Sequence, residues 1–328
     1  MESNIETNSF KAWLLASRPK TWAAAIAPVI VGCALAYHYQ SFNLFQSFFC
    51  LLFAVSMQVA ANLINDLYDF LKGSDGEDRL GPQRATAQGW ITPDAMKKGI
   101  VTTILFGCLC GLFLLIPIIS SNEPAVAFKT CCILILVGVA CVIFAYCYTS
   151  GPFPLAYNGL GDVSVILFFG LVATGFTTYV QTLEWYKDVT FCGLAVGCVV
   201  DTLLVLNNYR DRETDEKAGK KTSVVRHGDQ FGRILYLCLG IVAVGLTFQI
   251  YAIGVESISD AIAGVPLSHD LRYLLLPIMV CIYLLPHYLT WCNICEINNG
   301  ILLNSLIGAT SRNMILFAAT LSIAIIYM

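Results

Sequence analysis

Two short segments of this 328-residue sequence carry acidic residues at similar spacing. In each segment an asparagine and two aspartates are separated by three or four residues: Asn62, Asp66 and Asp69 in the first, by four and three, and Asn208, Asp211 and Asp215 in the second, by three and four. Side chains at this spacing share one face of a helix. In both segments a glycine, Gly73 or Gly219, follows the last aspartate by four residues. The sequence therefore contains an approximate internal repeat of acidic helix faces.

The chemistry predicted for these faces is the binding of a divalent metal ion and a diphosphate. Carboxylates stacked on one face repel each other unless a cation lies between them. Carboxylate and amide oxygens are hard ligands suited to Mg²⁺ or Mn²⁺, and Mg²⁺ usually completes its shell with water and substrate phosphates. Nearby basic residues could bind the remaining phosphate charge; they are Lys72, Arg79, Arg84, Lys220, Lys221 and Arg226. Solvated loop charge would explain any one of these residues, but not the repeated spacing.

The composition is typical of a helical membrane protein. Hydrophobic residues make up 57% of the chain and charged residues 12%, and the mean hydropathy is +0.70, which leaves too little charge for a soluble surface. A spanning helix needs about 20 apolar residues, and segments of that length are too long for barrel strands. We predict an all-α polytopic fold of about nine transmembrane helices, at roughly 21–39, 44–64, 99–119, 127–148, 162–182, 189–209, 232–252, 272–294 and 308–328.

The distribution of basic residues predicts the orientation of these helices. Sixteen of the nineteen Lys and Arg residues fall on one side of the predicted bundle. By the positive-inside rule, the N-terminus and the two acidic loops, at about 65–98 and 208–231, are cytoplasmic, and the C-terminus is outside. No signal-peptide pattern precedes the first span, so we expect that span to be retained. We predict one domain, residues 1–328, in the cell (inner) membrane, with lipid around it and no nucleic-acid or obligatory protein partner.

The acidic segments resemble the aspartate-rich motifs of the UbiA-type intramembrane prenyltransferases. The first family motif is N-D-x-x-D-x-x-x-D; Asn65, Asp66 and Asp69 match it, but Gly73 stands at its last position. The second motif, D-x-x-x-D, is matched in full by Asp211 and Asp215. The run from Gly73 through Asp75, Asp78 and Arg79 to Gly81-Pro82-Gln83-Arg84 is similar to the menaquinone branch, the 1,4-dihydroxy-2-naphthoate polyprenyltransferases.

Four other segments carry the same resemblance, which covers about residues 17–230. They are Arg18-Pro19-Lys20-Thr21-Trp22, Tyr148 to Asp162, Asn207-Asn208-Tyr209-Arg210-Asp211, and Gly219-Lys220-Lys221-Thr222. The resemblance implies a helical bundle around a central cavity that opens sideways to lipid. It also implies Mg²⁺ dependence with two ions, and a polyprenyl diphosphate and 1,4-dihydroxy-2-naphthoate as substrates. The implied products are demethylmenaquinone, diphosphate and CO₂.

Roles can then be assigned to individual residues as expectations. The metal ligands and catalytic acids are Asp66, Asp69, Asp211 and Asp215; the substrate-binding residues are Arg18, Lys20, Asn62, Asn65, Lys72, Arg79, Arg84, Asn208, Lys220 and Lys221. Tyr148 could orient a phosphate or polarise the acceptor, and Asp162 could deprotonate the acceptor or cap a helix. Membrane-interface anchoring is an equal alternative for Arg18, Lys20 and Tyr148, and the favoured one for Tyr157. Asp201, an acid within a predicted span, either has a function or faces a polar cavity.

Three alternative functions remain open from the sequence. Another acceptor, such as 4-hydroxybenzoate, homogentisate or a lipid glycerol backbone, would keep the chemistry and change the substrate. A divalent-cation transporter would place its charged site near the bilayer midplane, whereas these acids cluster at one face. A non-catalytic relative would keep the cavity, but the acids of both motifs are intact.

Overall fold

The computed structural model describes residues 5–73, 80–261 and 278–328. Within these residues the chain forms helices and no strand, which confirms the predicted all-α class. The α-helices are α1 Phe10–Ser17, α2 Ala23–His38, α3 Leu44–Leu71, α4 Pro93–Phe113, α5 Leu115–Ser121, α6 Pro124–Thr149, α7 Gly161–Val165, α8 Ala173–Thr182, α9 Lys187–Lys217, α10 Ser223–His227, α11 Asp229–Ala261, α12 Leu284–Ile297 and α13 Asn304–Tyr327. A π-helical segment, Ile166–Val172, joins α7 to α8 without a break.

The helices are long and apolar enough for a multi-pass membrane protein. Eight spans meet that test among the described residues, and α1 with α2 forms a ninth that is bent by 54°. The bend lies between Thr21 and Ala23, shortly after Arg18, whose backbone is left-handed with φ +51°, and Pro19. The count agrees with the predicted nine spans. Of the predicted span 272–294, residues 272–277 lie outside the described residues.

Both acidic segments are helical rather than loops, which corrects their predicted boundaries. The third helix continues seven residues past its predicted end at 64, and α9 continues eight residues past 209. Each helix ends just before a glycine with positive φ, Gly73 at +68° and Gly219 at +73°. Glycine is the residue that commonly ends a helix in this conformation. The glycine of each repeat therefore marks the end of its acidic helix. At Gly73 this helix-ending glycine stands where the family motif has a third aspartate.

The ninth helix lies at the centre of the bundle. It packs against α2, α11, α13 and the continuous span Gly161–Thr182, and it is the most buried span of the described chain. The spans Pro93–Ser121 and Pro124–Thr149 are the least buried, so they present most of their apolar surface to lipid. The acidic end of α9 is thus supported from several sides, while α4 and α6 form an outer wall.

Candidate active site

Asp69 lies at the centre of the polar end of the bundle. Its side chain is fully buried. Its Oδ2 accepts hydrogen bonds from Nη2 of Arg84 at 2.9 Å and from Nζ of Lys220 at 3.3 Å. Its Oδ1 accepts one from the Tyr157 hydroxyl at 2.8 Å. A buried charge requires such partners, and here they come from three segments that follow α3, α6 and α9.

Lys220 joins the two acidic helix ends. Its Nζ lies 3.3 Å from Oδ2 of Asp69 and 3.6 Å from Oδ1 of Asp215. The last acid of the first segment and the last acid of the second therefore face the same ammonium group. The two segments converge in space at one end of the bundle, as a shared metal–diphosphate site requires.

Asp66 holds the segment that follows α3 against the bundle. Its Oδ2 accepts from the backbone N–H of Ala85 and its Oδ1 from that of Thr86, both at 2.9 Å. The carboxylate is 1% exposed, and both N–H groups belong to buried residues. Arg84 directly precedes Ala85 and Thr86, whose N–H groups Asp66 binds. Asp66 therefore also positions the Arg84 guanidinium for its contact with Asp69.

Asp211 is paired with its neighbour in the sequence. Its two oxygens accept from Nε and Nη2 of Arg210 at 2.8 and 2.6 Å. The buried Arg210 also donates from Nη1 to Oδ1 of Asn304, whose Nδ2 donates to the carbonyl of Leu80. Arg210, which the sequence marks only as part of a motif, therefore connects Asp211 to α13 and to the segment after α3.

Tyr157 contacts the centre of the acidic site, whereas the sequence favoured a membrane-interface position for it. Besides its hydrogen bond to Asp69, its ring lies under two ammonium groups, Lys72 Nζ at 4.1 Å and Lys220 Nζ at 4.9 Å from the ring centroid. The Lys72 ammonium also donates to the carbonyl of Thr149 at 2.7 Å. Burial lowers the pKa of Lys72, and the nearby Lys220 lowers it further, while the Asp69 carboxylate opposes both effects. No spacing rule identifies Tyr157, because it lies on the loop after α6.

An apolar cavity of about 450 Å³ begins at this polar end and runs into the bundle. Along α3 its lining extends from Asn65 to Cys50, which is about 22 Å at the helical rise of about 1.5 Å per residue. Its walls come from α2, α3, α4, α6, the span Gly161–Thr182 and α9. Aromatic rings are prominent among them: Phe53, Phe144, Tyr148, Phe168, Phe169 and Phe176. The cavity confirms the predicted central chamber.

The polar mouth of the cavity is organised around the break between α1 and α2. Nδ2 of Asn62 donates to the Ser17 carbonyl at 3.0 Å and to Oγ1 of Thr21 at 3.1 Å, and Gln58 donates to the same hydroxyl. Arg18, in its left-handed conformation, lines the mouth with Asn62 and Asn65. Strained backbone of this kind persists where surrounding contacts determine it, often at a functional site.

The remaining predicted residues divide into those near this mouth and those away from it. Asn65 lines the mouth and accepts from Arg84 Nη2 at 3.4 Å. In the second segment Asn207, rather than the predicted Asn208, lines the cavity. The side chains of Lys20 and Lys221 are exposed, and neither lines the cavity. Arg79 lies outside the described residues, together with Asp75 and Asp78.

Tyr148 and Asp162 lie beside the cavity on different helices. Tyr148 lines the cavity near the end of α6. Its hydroxyl lies 3.4 Å from where a Cβ on Gly161 would be, next to Asp162 in the first turn of α7. Asp162 does not line the cavity, and its Oδ1 is buried without a hydrogen-bond partner in the described chain.

The donor set fits a hard divalent cation bound together with a diphosphate. Asn62, Asn65 and Asn207 line the polar end of the cavity, the carboxylates of both acidic segments follow on the same two helices, and the basic side chains among them balance their charge. No three His, Cys, Asp or Glu side chains of the described residues form a closed metal cluster. Mg²⁺ usually completes its coordination shell with water and substrate phosphates.

Comparison with known proteins identifies the family. The profile described as the UbiA prenyltransferase family matches residues 25–290. The 1,4-dihydroxy-2-naphthoate octaprenyltransferase of Haemophilus influenzae is 36% identical over 245 residues, covering 74% of this chain and 77% of that protein. The enzyme of the same description from Escherichia coli is 38% identical over 229 residues, 70% and 72% of the two chains.

A solved structure of a UbiA homologue from Archaeoglobus fulgidus, bound to GPP and Mg²⁺, agrees with this fold. It has a TM-score of 0.61 at 18% identity and covers 97% of this chain and 100% of that one. At this identity the likeness concerns the fold. The match of the family profile over most of the chain shows that the chain belongs to the UbiA prenyltransferase family.

Proposed function

We propose that this protein transfers a polyprenyl group from its diphosphate to 1,4-dihydroxy-2-naphthoate, releasing diphosphate and CO₂ and giving demethylmenaquinone. The observation that carries the proposal is the meeting of both acidic helix ends at Lys220, on the same two helices whose Asn65 and Asn207 line the polar end of a long apolar cavity. The naphthoate acceptor is supported by the names of the relatives from H. influenzae and E. coli.

The diphosphate would bind between the two acidic helix ends. Oxygens of Asp66, Asp69, Asp211 and Asp215, supported by Asn62, Asn65 and Asn208, would hold two Mg²⁺ ions, or Mn²⁺ in their place. When bound, such ions neutralise charge on the leaving diphosphate and bridge it to the protein. Lys72, Arg84 and Lys220 supply further positive charge around Asp69. We assign the same role to Arg18, which lines the cavity, and to Arg79.

The cavity would hold the prenyl chain and protect the reacting carbon from water. Breaking the allylic C–O bond leaves positive charge on the terminal isoprene carbon. Aromatic faces attract cations, and Phe144, Tyr148 and Phe168 lie in the cavity wall, with the rings of Phe144 and Phe168 stacked at 3.8 Å. The electron-rich naphthoate carbon then attacks, and the ring regains its aromatic electrons as the carboxylate leaves as CO₂.

We propose that the site faces the cytoplasm. The basic residues that follow α3 and α9 lie with the acidic helix ends, and positive residues favour the cytoplasmic side of a membrane. This orientation puts the C-terminus on the opposite side of a cell (inner) membrane. A water-soluble aromatic acid could then reach the mouth while the prenyl tail stays in lipid.

Product mass in isolated membranes tests this function. Membranes containing the protein are supplied with polyprenyl diphosphates of several lengths and with either 1,4-dihydroxy-2-naphthoate or 4-hydroxybenzoate, with and without Mg²⁺. We expect a prenylated naphthoquinol that lacks the carboxyl group, formed only with a divalent ion. Prenylated 4-hydroxybenzoate as the main product would replace the proposed acceptor. Metal flux across vesicles without prenyl transfer would instead indicate a transporter.

A further inference from the structure

Two helices beside the cavity are in backbone contact. On α9, Gly193 and Gly197 face the span that begins with α7, and a Cβ added to Gly197 would lie 2.7 Å from the carbonyl oxygen of Ile166. A Cβ added to Gly170 would lie 2.5 Å from the carbonyl oxygen of Gly193. Small residues allow membrane helices to approach this closely. The pairing runs antiparallel, with Gly170 opposite Gly193 and Ile166 opposite Gly197.

One helical turn further along both helices, this contact brings two carboxyl groups together. Asp162 lies four residues before Ile166, and Asp201 lies four residues after Gly197. Residues four apart share a helix face, so both acids extend the same contact surface. In agreement with this geometry, the Asp162 carboxyl interacts electrostatically with that of Asp201.

Neither acid has the partners that a buried carboxylate requires. Asp201 is 0% exposed, and within the described chain no hydrogen bond reaches either of its oxygens. Oδ1 of Asp162 is likewise buried without a partner, and the Ser223 hydroxyl lies beside the Asp162 carboxyl. No salt bridge in the described residues includes either acid. An uncompensated charge there would be costly, and two adjacent carboxylates cannot both be ionised cheaply.

A path leads from this pair to the cavity. The Tyr148 hydroxyl lies beside Gly161, the residue that directly precedes Asp162, and the carboxyls of Asp162 and Asp201 are among those that interact with it. Tyr148 itself lines the cavity. Cys198 on α9 is a further titratable group near Asp201. The pair therefore lies behind the cavity wall, with one tyrosine hydroxyl between it and the proposed acceptor.

We propose that Asp162 and Asp201 form a carboxyl pair that holds one shared proton and exchanges a second with the hydroxyl of the aromatic acceptor through Tyr148. This inference rests on the proposed function. Tyr148 is the residue that touches the acceptor, and the two acids act through it. Asp201 accordingly becomes a positioning residue that the two acidic motifs do not include.

The proton step balances without another reactant. The acceptor hydroxyl gives its proton to the Tyr148 oxygen while the Tyr148 proton passes to the singly protonated pair, leaving both carboxyls neutral. The allylic C–O bond breaks and diphosphate leaves with that electron pair, and the acceptor, now a phenolate, forms the new C–C bond to the allylic cation. The ring regains the electron pair of its bond to the carboxylate as CO₂ departs. The borrowed proton then returns by the same route to the product oxygen.

Infrared spectroscopy tests the shared proton without requiring turnover. The purified protein should show the carbonyl stretch of a protonated carboxylic acid near neutral pH, shifted in D₂O and lost in Asp201→Asn. Asp188→Asn is the matched control, because Asp188 is a buried acid on the same helix whose oxygens accept from the Tyr39 hydroxyl and the Val189 N–H. That variant should keep the band. If the wild-type band is absent, or is unchanged in both Asp201→Asn and Asp162→Asn, the pair does not hold a proton.

Acceptor acidity tests the catalytic part of the inference. In Asp201→Asn we expect kcat with 1,4-dihydroxy-2-naphthoate to fall about 10²-fold, the usual scale for general acid–base catalysis, with KM for the polyprenyl diphosphate unchanged. Ring-fluorinated acceptors with more acidic hydroxyls should recover much of that loss, because they need less help to ionise. An equal loss for all acceptors would overturn the proton role. Absence of transfer by the wild-type protein would instead refute the proposed function, while leaving the infrared result to decide on the pair.

Discussion

Replacing Tyr157 by phenylalanine removes a single hydroxyl from the acidic site and leaves the ring under Lys72 and Lys220. The lost group donates a 2.8 Å hydrogen bond to Oδ1 of the buried Asp69. A hydrogen bond to a charged group contributes about 1.5–3 kcal/mol, and about 1.36 kcal/mol corresponds to a tenfold change in rate. If Asp69 must be held in place in the transition state, kcat/KM should fall by about 10-fold to about 150-fold.

The assay is prenyl transfer in membranes at subsaturating polyprenyl diphosphate, normalised to the amount of folded protein. Tyr146→Phe is the matched control, since the Tyr146 hydroxyl lies 3.5 Å from that of Tyr68 and hydrogen-bonds to no acid among the residues that the structure describes. The kcat/KM of this variant should stay within about twofold of the wild-type value, because substitutions away from buried charged networks have small effects. If Tyr157→Phe also keeps kcat/KM within twofold, the Tyr157–Asp69 hydrogen bond has no part in binding or catalysis.

Two further substitutions examine other parts of the site. Lys220→Met should raise KM for the polyprenyl diphosphate and lower kcat at least about tenfold, because Lys220 lies between Asp69 and Asp215. Lys221→Met, which changes an exposed side chain, should leave both constants nearly unchanged. Equal effects of the two substitutions would argue against the bridging role of Lys220. Asp66→Ala leaves two buried N–H groups unsatisfied and should lower the free energy of unfolding by about 2–6 kcal/mol, while the exposed Asp94→Ala should change it by less than about 0.5 kcal/mol. Thermal unfolding in detergent measures the second pair, and equal melting temperatures would contradict the anchoring role of Asp66.

Much of the fold could be predicted because a segment that spans a membrane must be apolar, helical and about 20 residues long. Apolar runs of about 20 residues gave nine spans, and the three- and four-residue spacing of the acids correctly implied shared helix faces. The predicted loop boundaries at 65 and 208 were wrong, because polar helix extensions beyond the membrane are not distinguished from loops by hydropathy. The glycines at 73 and 219 are the signal that marks the true helix ends.

Long-range contacts within the site were beyond sequence reasoning. Spacing identified Asp69 and Asp215, but not that Lys220 lies between them, since this depends on how α3 and α9 pack. Tyr157 resembles an interfacial tyrosine in sequence and proves to be a partner of Asp69. Likewise, the choice of Asn207 over Asn208 for the cavity wall follows from the rotation of α9 about its axis, which the repeat alone does not fix.

A double-mutant cycle on Asp69 and Asp215 tests the central claim most directly. The measurement is equilibrium binding of a polyprenyl diphosphate to wild type, Asp69→Asn, Asp215→Asn and the double variant, each with and without Mg²⁺. A single shared site predicts that either substitution removes most of the Mg²⁺-dependent affinity and that the second adds little, a coupling of about 1 kcal/mol or more. Losses that simply add, or Mg²⁺-dependent binding that survives in the double variant, would contradict one metal–diphosphate site built from both helix ends.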